Sequence, residues 1–370
     1  MRRDTPPFRA DHVGSLLRPP ELLRERQRAA EGSISAQELR MAEDEAICAA
    51  VHMQEEVGLQ AVTDGEYRRR LWHIDVLLKF GNVSRAKSEV TVEFHSESGT
   101  LSRESGALRI DGTLTRPRPV LLADFAFLRS VSTVTPKVTM PSPSIMHSLC
   151  MRASAKGSAY RDAGEFYAAI GQVYREEIAD LAEAGCRYLQ LDDVNFSFFC
   201  DPELRAQMAS RGEDPESLPA EYIALINEAV AVRPGDMAVT VHICRGNLQS
   251  AWQASGGYEP IAERLFNSLD VTGFFLEYDS PRAGDFAPLR FVPAGKMIVL
   301  GLVTTKGPAL ERKDELKRRI EEAARYVPLD QLALSPQCGF ASGEQGNKLT
   351  IDDEIKKLEL IVDVAHEVWG

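Results

Sequence analysis

The sequence predicts an α/β fold, a single (β/α)8 TIM barrel with a β-hairpin-rich insertion after the second strand, on three observations. Short β-branched and apolar runs alternate with amphipathic stretches along the chain. Eight such runs can be counted, which is the strand number of a closed parallel barrel. The 370 residues, 44% hydrophobic and 26% charged, suit one barrel of about 250 residues enlarged by insertions, as an alternative to two domains of roughly 150 residues each.

In chain order the expected strands cover 12–15, 59–63, 134–140, 187–191, 238–242, 271–276, 297–300 and 331–334. Helices are expected over 36–57, 165–184, 220–231, 313–326 and 352–368. The second of these carries Tyr167, Ile170, Val173, Tyr174, Ile178 and Leu181 at a spacing close to 3.6 residues, the mark of one buried helical face. Residues 80–130 break the rhythm. Val90, Val92 and Phe94, then Leu108 and Ile110, alternate with polar residues, and glycines stand at 106 and 112. That pattern predicts hairpins, read as an insertion over the barrel mouth within one domain spanning 1–370.

Composition removes several classes. Glycine (26) and proline (20) are ordinary in number, so collagen-like, mucin-like and disordered chains are excluded. No apolar run approaches the ~18 residues that cross a bilayer, and the opening MRRDTPPFRADHVGS has no apolar stretch behind its arginines. The expectation is a cytoplasmic protein with no membrane partner. A net charge of −12 argues against a nucleic-acid partner. The cysteines at 48, 150, 186, 200, 244 and 338 form no Cys-x-x-Cys pair. In a cytosolic chain they are expected to stay reduced, with Cys48, Cys150, Cys186 and Cys200 structural.

Three segments hold ionisable residues at strand ends: VHICRGN, GFFLEYDS and LSPQCGF. His242 and Cys244 are two apart, so an extended backbone points both side chains the same way. Glu277 follows one apolar strand and Cys338 another. The carboxyl ends of parallel barrel strands meet at one face, so the four can converge. One imidazole, two thiolates and a carboxylate suit Zn²⁺. Read singly, His-x-Cys also describes a packed histidine beside a buried cysteine, and Glu277 a solvated loop acid. Three anionic ligands would leave zinc a weak Lewis acid that still deprotonates a bound thiol while the sulfur stays nucleophilic, which favours thiol alkylation over hydrolysis.

The motifs RADHVGSLLRP, VTDGEYRR, YLQLDD, VHICRGN, FFLEYDS and LSPQCGF resemble, in order, those of the catalytic barrel of cobalamin-independent methionine synthase, and the chain is similar to the short single-barrel bacterial members. The resemblance runs from Phe8 onward. It implies zinc on His242, Cys244, Glu277 and Cys338, activating homocysteine sulfur for attack on a methyl donor. It also implies a clamp for the amino acid: Val13, Gly14 and Ser15 for the carboxylate, and Glu66 and Asp192 for the ammonium group. Without the resemblance, Gly14-Ser15 reads as a turn and Asp192 as a helix N-cap. Two departures stand out. Phe198 occupies the place of the family's pterin-contacting glutamate, and GLVTTKGP stands where the family's histidine proton donor follows the seventh strand, with no histidine between His242 and His366. The family's long N-terminal half has no counterpart either.

These residues imply a zinc-dependent methyltransferase making methionine from homocysteine, with methylfolate, a methylcorrinoid protein or a sulfonium as donor. Two other functions remain open: an alkyltransferase joining another small thiol such as coenzyme M to an epoxide, and a non-catalytic metal- or thiol-binding regulator. An intact ammonium clamp favours the first, because coenzyme M has no ammonium group. Trp72, His73, His12 and His147 are further candidates near strand ends, equally suited to local packing, and Arg68, Arg69 and Arg70 to an anionic donor or a solvated face. Oligomeric state stays open, a homo-oligomer included.

Overall fold

The computed structural model describes residues 3–96, 99–153 and 159–370. In chain order the strands are β1 (Ala61–Val62), β2 (Gly81–Arg85), β3 (Thr91–Ser96), β4 (Gly99–Glu104), β5 (Leu108–Thr115), β6 (Thr135–Pro136), β7 (Val138–Pro141), β8 (Tyr188–Asp193), β9 (Ala238–Ile243), β10 (Gly273–Glu277), β11 (Met297–Val303) and β12 (Leu332–Pro336). Strands β7 to β12 form a central sheet in consecutive order, and each neighbouring pair is parallel. Parallel neighbours need a crossover. Helices Ala163–Glu183, Leu218–Val230, Glu259–Ser268 and Lys313–Ala323 provide four of them, while short 3-10 turns at Pro281–Ala283 and Ala287–Phe291 connect β10 to β11.

Both edges of this sheet have neighbours. At β12, Asp11 N donates to Leu334 O (3.0 Å) and Leu334 N to Arg9 O (2.9 Å). Next to β7, β1 pairs in parallel with β6, and Lys137 N donates to Val62 O at 2.8 Å. The two added segments meet where Thr63 Oγ1 donates to Gly14 O at 2.6 Å.

The register explains how the sheet aims side chains. Asp192 is level with His242, His242 with Phe275, Phe275 with Val299 and Val299 with Ala333. Phe275, Val299 and Ala333 pack with Val13 and Met297 in a small cluster of their own. The alternate residues Phe274, Leu276, Ile298, Leu300 and Leu334 belong instead to the large core shared with the helices. A period of two thus divides each strand between the helices and an interior face. His242 lies on that interior face, and Glu277, two residues beyond Phe275, shares it. Beside Glu277 stands Gly301, where a Cβ would come within 2.9 Å of Leu276 O and 2.6 Å of Gln337 Cα.

The chain departs from its expected elements in three places. Residues 12–15 form no strand; the pairing is made by Arg9–Asp11 instead, and Gly14 has φ +128°. The run 134–140 is two strands divided at Lys137, whose buried ammonium donates to Asp11 Oδ1 (3.1 Å) and His12 O (2.6 Å). Within 80–130, the antiparallel pairs β2–β5 and β3–β4 end by Thr115, and Leu122–Val131 is a helix burying Phe125 and Leu128.

One buried acid gives a stability prediction. Glu354, in the first turns of helix Ile351–Trp369, is 1% exposed and accepts from Leu17 N at 2.9 Å. Burial raises its pKa to about 8, against the lowering effects of that bond and of Arg18. A raised carboxyl pKa means the native state holds the proton longer than the unfolded chain. Stability is therefore fullest below the unfolded value and declines as pH rises toward 8. Glu354→Gln removes this penalty and keeps an acceptor for Leu17. It is expected to match the parent near pH 4.5 and to gain about 3 kcal/mol over it near pH 7, read by urea unfolding at each pH. An equal ΔΔG at both pH values would refute the assignment.

Candidate metal centre

His242 is in the last turn of pleat of β9, and Cys244 lies one residue past its end, held there by its N–H donating to Asp193 O at 2.8 Å. Glu277 closes β10, and Cys338 follows β12 by two residues. One donor atom from each of these four buried residues lies within 4.8 Å of the others. The two sulfurs are 3.5 Å apart, and neither cysteine is in a disulfide. The expected convergence of His242, Cys244, Glu277 and Cys338 is present.

The electrostatics show what such a cluster needs. Within the sulfur pair, the bond to Cys338 together with burial pushes the Cys244 thiol up, while that same bond pulls Cys338 well below the ordinary thiol range against burial, aided by His242. Burial would lower His242, but Asp192 and Cys338 outweigh it and raise its pKa to about 10. Glu277 is pushed up by burial and by Cys338, against Lys306 and Arg282. Several anionic groups in one dry pocket repel each other unless a cation joins them. Two sulfurs, an imidazole nitrogen and a carboxylate oxygen make a donor set that fits zinc in number and softness.

The surrounding groups orient these donors. Asp192 Oδ1 lies 3.1 Å from His242 Nδ1 and accepts from Gln190 Nε2 at 2.8 Å. A carboxylate on Nδ1 fixes the tautomer that leaves Nε2 for a metal. Glu277 Oε1 accepts from Arg245 N at 2.7 Å, and its backbone N–H donates to Tyr258 OH at 3.0 Å. Asn247 Nδ2 approaches Cys338 Sγ at 3.7 Å and donates to Gly339 O at 3.0 Å. Sequence reasoning missed Gln190, Arg245, Asn247 and Tyr258. Gln190 was findable, since it is two residues before Asp192 on the same face.

The residues expected to clamp an amino acid surround the same centre. Val13, Ser15, Glu66, Asp192, His242, Cys244 and Cys338 line one small recess of about 30 Å³ with Trp72, Gly339 and Ser342. Gly14 is not among its lining residues; a Cβ there would come within 2.5 Å of Thr139 Cγ2, so its role is to let the backbone pass. Glu66, with φ 60°, is 2% exposed. Its Oε1 accepts from Thr139 Oγ1 at 2.7 Å and lies 3.2 Å from Arg69 Nη1, whereas Oε2 has no hydrogen-bond partner among the described residues. Burial raises its pKa, against Arg69 and with Asp192.

A larger chamber of about 500 Å³ shares Trp72 and Ser342 with the recess. Phe198 lines it, with Val92, Phe94 and Arg103 from the β3–β4 pair, and with Arg70, Arg85 and Arg152. His73 is there as well, its imidazole held near pKa 3 by burial and by Arg152, Arg85 and Arg103. The remaining candidates disperse. His147 bonds to Tyr222 OH at 3.0 Å among aromatic rings, and His12 is buried at Lys137, with its pKa lowered to about 4 chiefly by burial. Arg68 pairs with Asp44 (2.8 Å) and Asp124 (3.0 Å). Cys186 and Cys200 are buried, Cys150 is half-buried and Cys48 exposed. No helix among the described residues is long and apolar enough to cross a membrane.

Residues 8–367 match the family model described as the catalytic domain of cobalamin-independent synthase. The Bacillus subtilis (strain 168) protein YxjH is 44% identical over 98% of this chain and 95% of its own length. A Listeria monocytogenes structure assigned to vitamin-B12 independent methionine synthase superposes with a TM-score of 0.78 at 37% identity, covering all of both chains. The 5-methyltetrahydropteroyltriglutamate–homocysteine methyltransferase of Thermotoga sp. (strain RQ2) is 24% identical over 99% of this chain, which spans 45% of that enzyme. By sequence and by fold, the chain belongs to the cobalamin-independent methionine synthase family, as its catalytic domain.

Proposed function

We propose that this chain is a zinc-dependent methyltransferase that forms methionine by methylating the thiol of homocysteine, with His242, Cys244, Glu277 and Cys338 as the metal ligands. The observation that carries the reading is the approach of these four donor atoms within 4.8 Å beside a recess that also holds Glu66, Asp192 and Ser15. Zinc bound there would supply the positive charge that keeps a substrate thiol deprotonated while three anionic ligands preserve its nucleophilicity. The chain's own residues do the rest. Asp192 holds the His242 ring. Glu66 offers its unpaired Oε2 to an ammonium group, which also offsets the cost of that buried carboxylate. Ser15 and the backbone freed by Gly14 receive the carboxylate, and the clamp aims the thiol at the metal.

We take the architecture as one domain closed into an eight-stranded barrel. The bonds from Arg9–Asp11 to β12, from Thr63 to Gly14 and from Lys137 to Val62 support that closure. The β2–β5 and β3–β4 pairs would then lie at its mouth.

The adjoining chamber is the natural place for the methyl donor. A methylfolate nitrogen must be protonated as it leaves; Phe198 supplies no acid, and Lys306 lies near the sulfurs, its Nζ donating to Gly246 O at 3.4 Å. A methylcorrinoid needs no such proton. A sulfonium, also free of that need, meets like charge at Arg70, Arg85, Arg103 and Arg152. Coenzyme M is disfavoured as the thiol because its sulfonate would face Glu66 and Asp192. Purified protein is expected to hold one zinc per chain and to form methionine from homocysteine with methylcobalamin faster than with monoglutamyl methylfolate or S-methylmethionine, quantified by mass spectrometry. Zinc-loaded protein forming no methionine with any donor would overturn the function; faster transfer from methylfolate would overturn the donor order and turn attention to Lys306.

A further inference from the structure

Glu277 has two carboxylate oxygens with different neighbours. Oε1 is fixed by the Arg245 backbone N–H at 2.7 Å. Oε2 faces Arg282, whose Nη2 lies 3.5 Å away and also donates to Asp279 Oδ1 at 2.6 Å. Arg282 is 12% exposed in its side chain, sits on the 3-10 turn Pro281–Ala283, and donates through Nη1 to Ser280 Oγ at 2.7 Å. Its guanidinium also lies over the Trp252 ring, 5.3 Å from the centroid.

Trp252 is joined to the hairpin. His95 N donates to Trp252 O at 2.6 Å and Trp252 N to His95 O at 2.9 Å, so the end of β3 pairs with the loop that follows metal ligand Cys244. That loop turns tightly between Leu248 and Ala251 through Gln249 (φ 48°) and Ser250 (φ 75°), two side-chain-bearing residues in the left-handed region. Such a turn persists when its surroundings hold it. Here Ser250 N donates to Asn347 Oδ1 at 3.0 Å, and Lys348 N to Ser250 Oγ at 3.0 Å. A continuous path therefore leads from the chamber wall at β3, through Trp252 and Arg282, to an oxygen of the metal centre.

We propose that Arg282 is a positioning residue that fixes Glu277 Oε2 and, through its stacking on Trp252, ties this metal ligand to the β3–β4 hairpin bordering the chamber. The proposal rests on the metal reading above. Groups that orient a ligand influence metal affinity by about 10- to 100-fold, and arginine's flat fork serves both roles at once where lysine serves only the charge. The test compares wild type, Arg282→Gln, Arg282→Lys and Trp252→Ala by zinc affinity under chelator competition and by the visible spectrum of the Co²⁺-loaded protein, with circular dichroism confirming the fold. Arg282→Gln is expected to weaken zinc about tenfold or more and to shift the cobalt bands. Arg282→Lys should recover part of the affinity. Trp252→Ala, which touches no ligand, should shift the same bands by less. Wild-type affinity and spectrum in folded Arg282→Gln would overturn the role of Arg282, and an unmoved spectrum in folded Trp252→Ala would overturn the link to the hairpin. A wild-type chain that takes up neither zinc nor cobalt would instead bring down the metal reading itself.

Discussion

Cys338→Ser is expected to empty the metal centre. It removes a sulfur proposed as a metal ligand, which is 2% exposed and lies 3.5 Å from the Cys244 sulfur. Four-ligand zinc sites in small domains are worth about 10–16 kcal/mol in all, so one ligand accounts for roughly 3 kcal/mol, or about 100-fold in affinity. Metal analysis after dialysis against a mild chelator should find wild type near one zinc per chain and the variant nearly none. The fold should survive, because Cys338 stands beyond the last residue of β12 and the sheet does not depend on its side chain. Equal zinc in both proteins would remove Cys338 from the ligand set.

Glu66→Gln is expected to separate substrate from metal. Its carboxylate touches none of the four ligands' donor atoms in the bonds described, and a glutamine can still accept from Thr139. What disappears is the negative charge offered to an ammonium group. A charge-assisted hydrogen bond of this kind contributes about 1.5–3 kcal/mol, so homocysteine should bind about 10- to 150-fold more weakly while zinc content stays unchanged. Calorimetric titration of the zinc-loaded proteins decides it. Unchanged homocysteine affinity would shift the assignment toward a thiol without an amino group. Asp192→Asn is the less clean probe, since Asp192 also holds His242, and its loss should affect metal and substrate together.

The convergence of the four candidate ligands was legible because it depends on a short-range rule. Two-residue spacing on a strand puts His242 and Cys244 on one face, and the same rule places Glu277 with Phe275. The strands that carry the centre were readable for a related reason: buried on both faces, they appear as continuous apolar runs such as VTGFFL and MIVLGLV. Residues 12–15 misled because Val13 and its neighbours look like a strand, yet Gly14 takes a φ of +128° and the pairing falls on Arg9–Asp11. The helix Leu122–Val131 was absorbed into the hairpin region although Leu122, Phe125 and Leu128 recur at helical spacing. Asp192 carried two competing readings, cap and clamp, and its neighbour accounts for one of them: Asp193 Oδ1 accepts from Phe196 N at 3.1 Å at the start of the next helix. The orienting shell of Arg245, Asn247 and Arg282 was illegible, because nothing in local spacing says which loop residue will fold back over a ligand.

The bond between Leu334 and Arg9 has a consequence for the order of events in the cell. Cys338 is carried by a strand that lies between β11 and Arg9–Asp11, so the pairing on one of its two sides forms only when segments more than three hundred residues apart have met. Pairings that distant form slowly, after the local helices and hairpins. During synthesis, His242, Cys244 and Glu277 leave the ribosome well before Cys338, and a nascent chain offers at best an incomplete, weakly holding set. If these four residues hold zinc as proposed, the full ligand set would exist only once Cys338, the last of them to be synthesised, has joined the sheet.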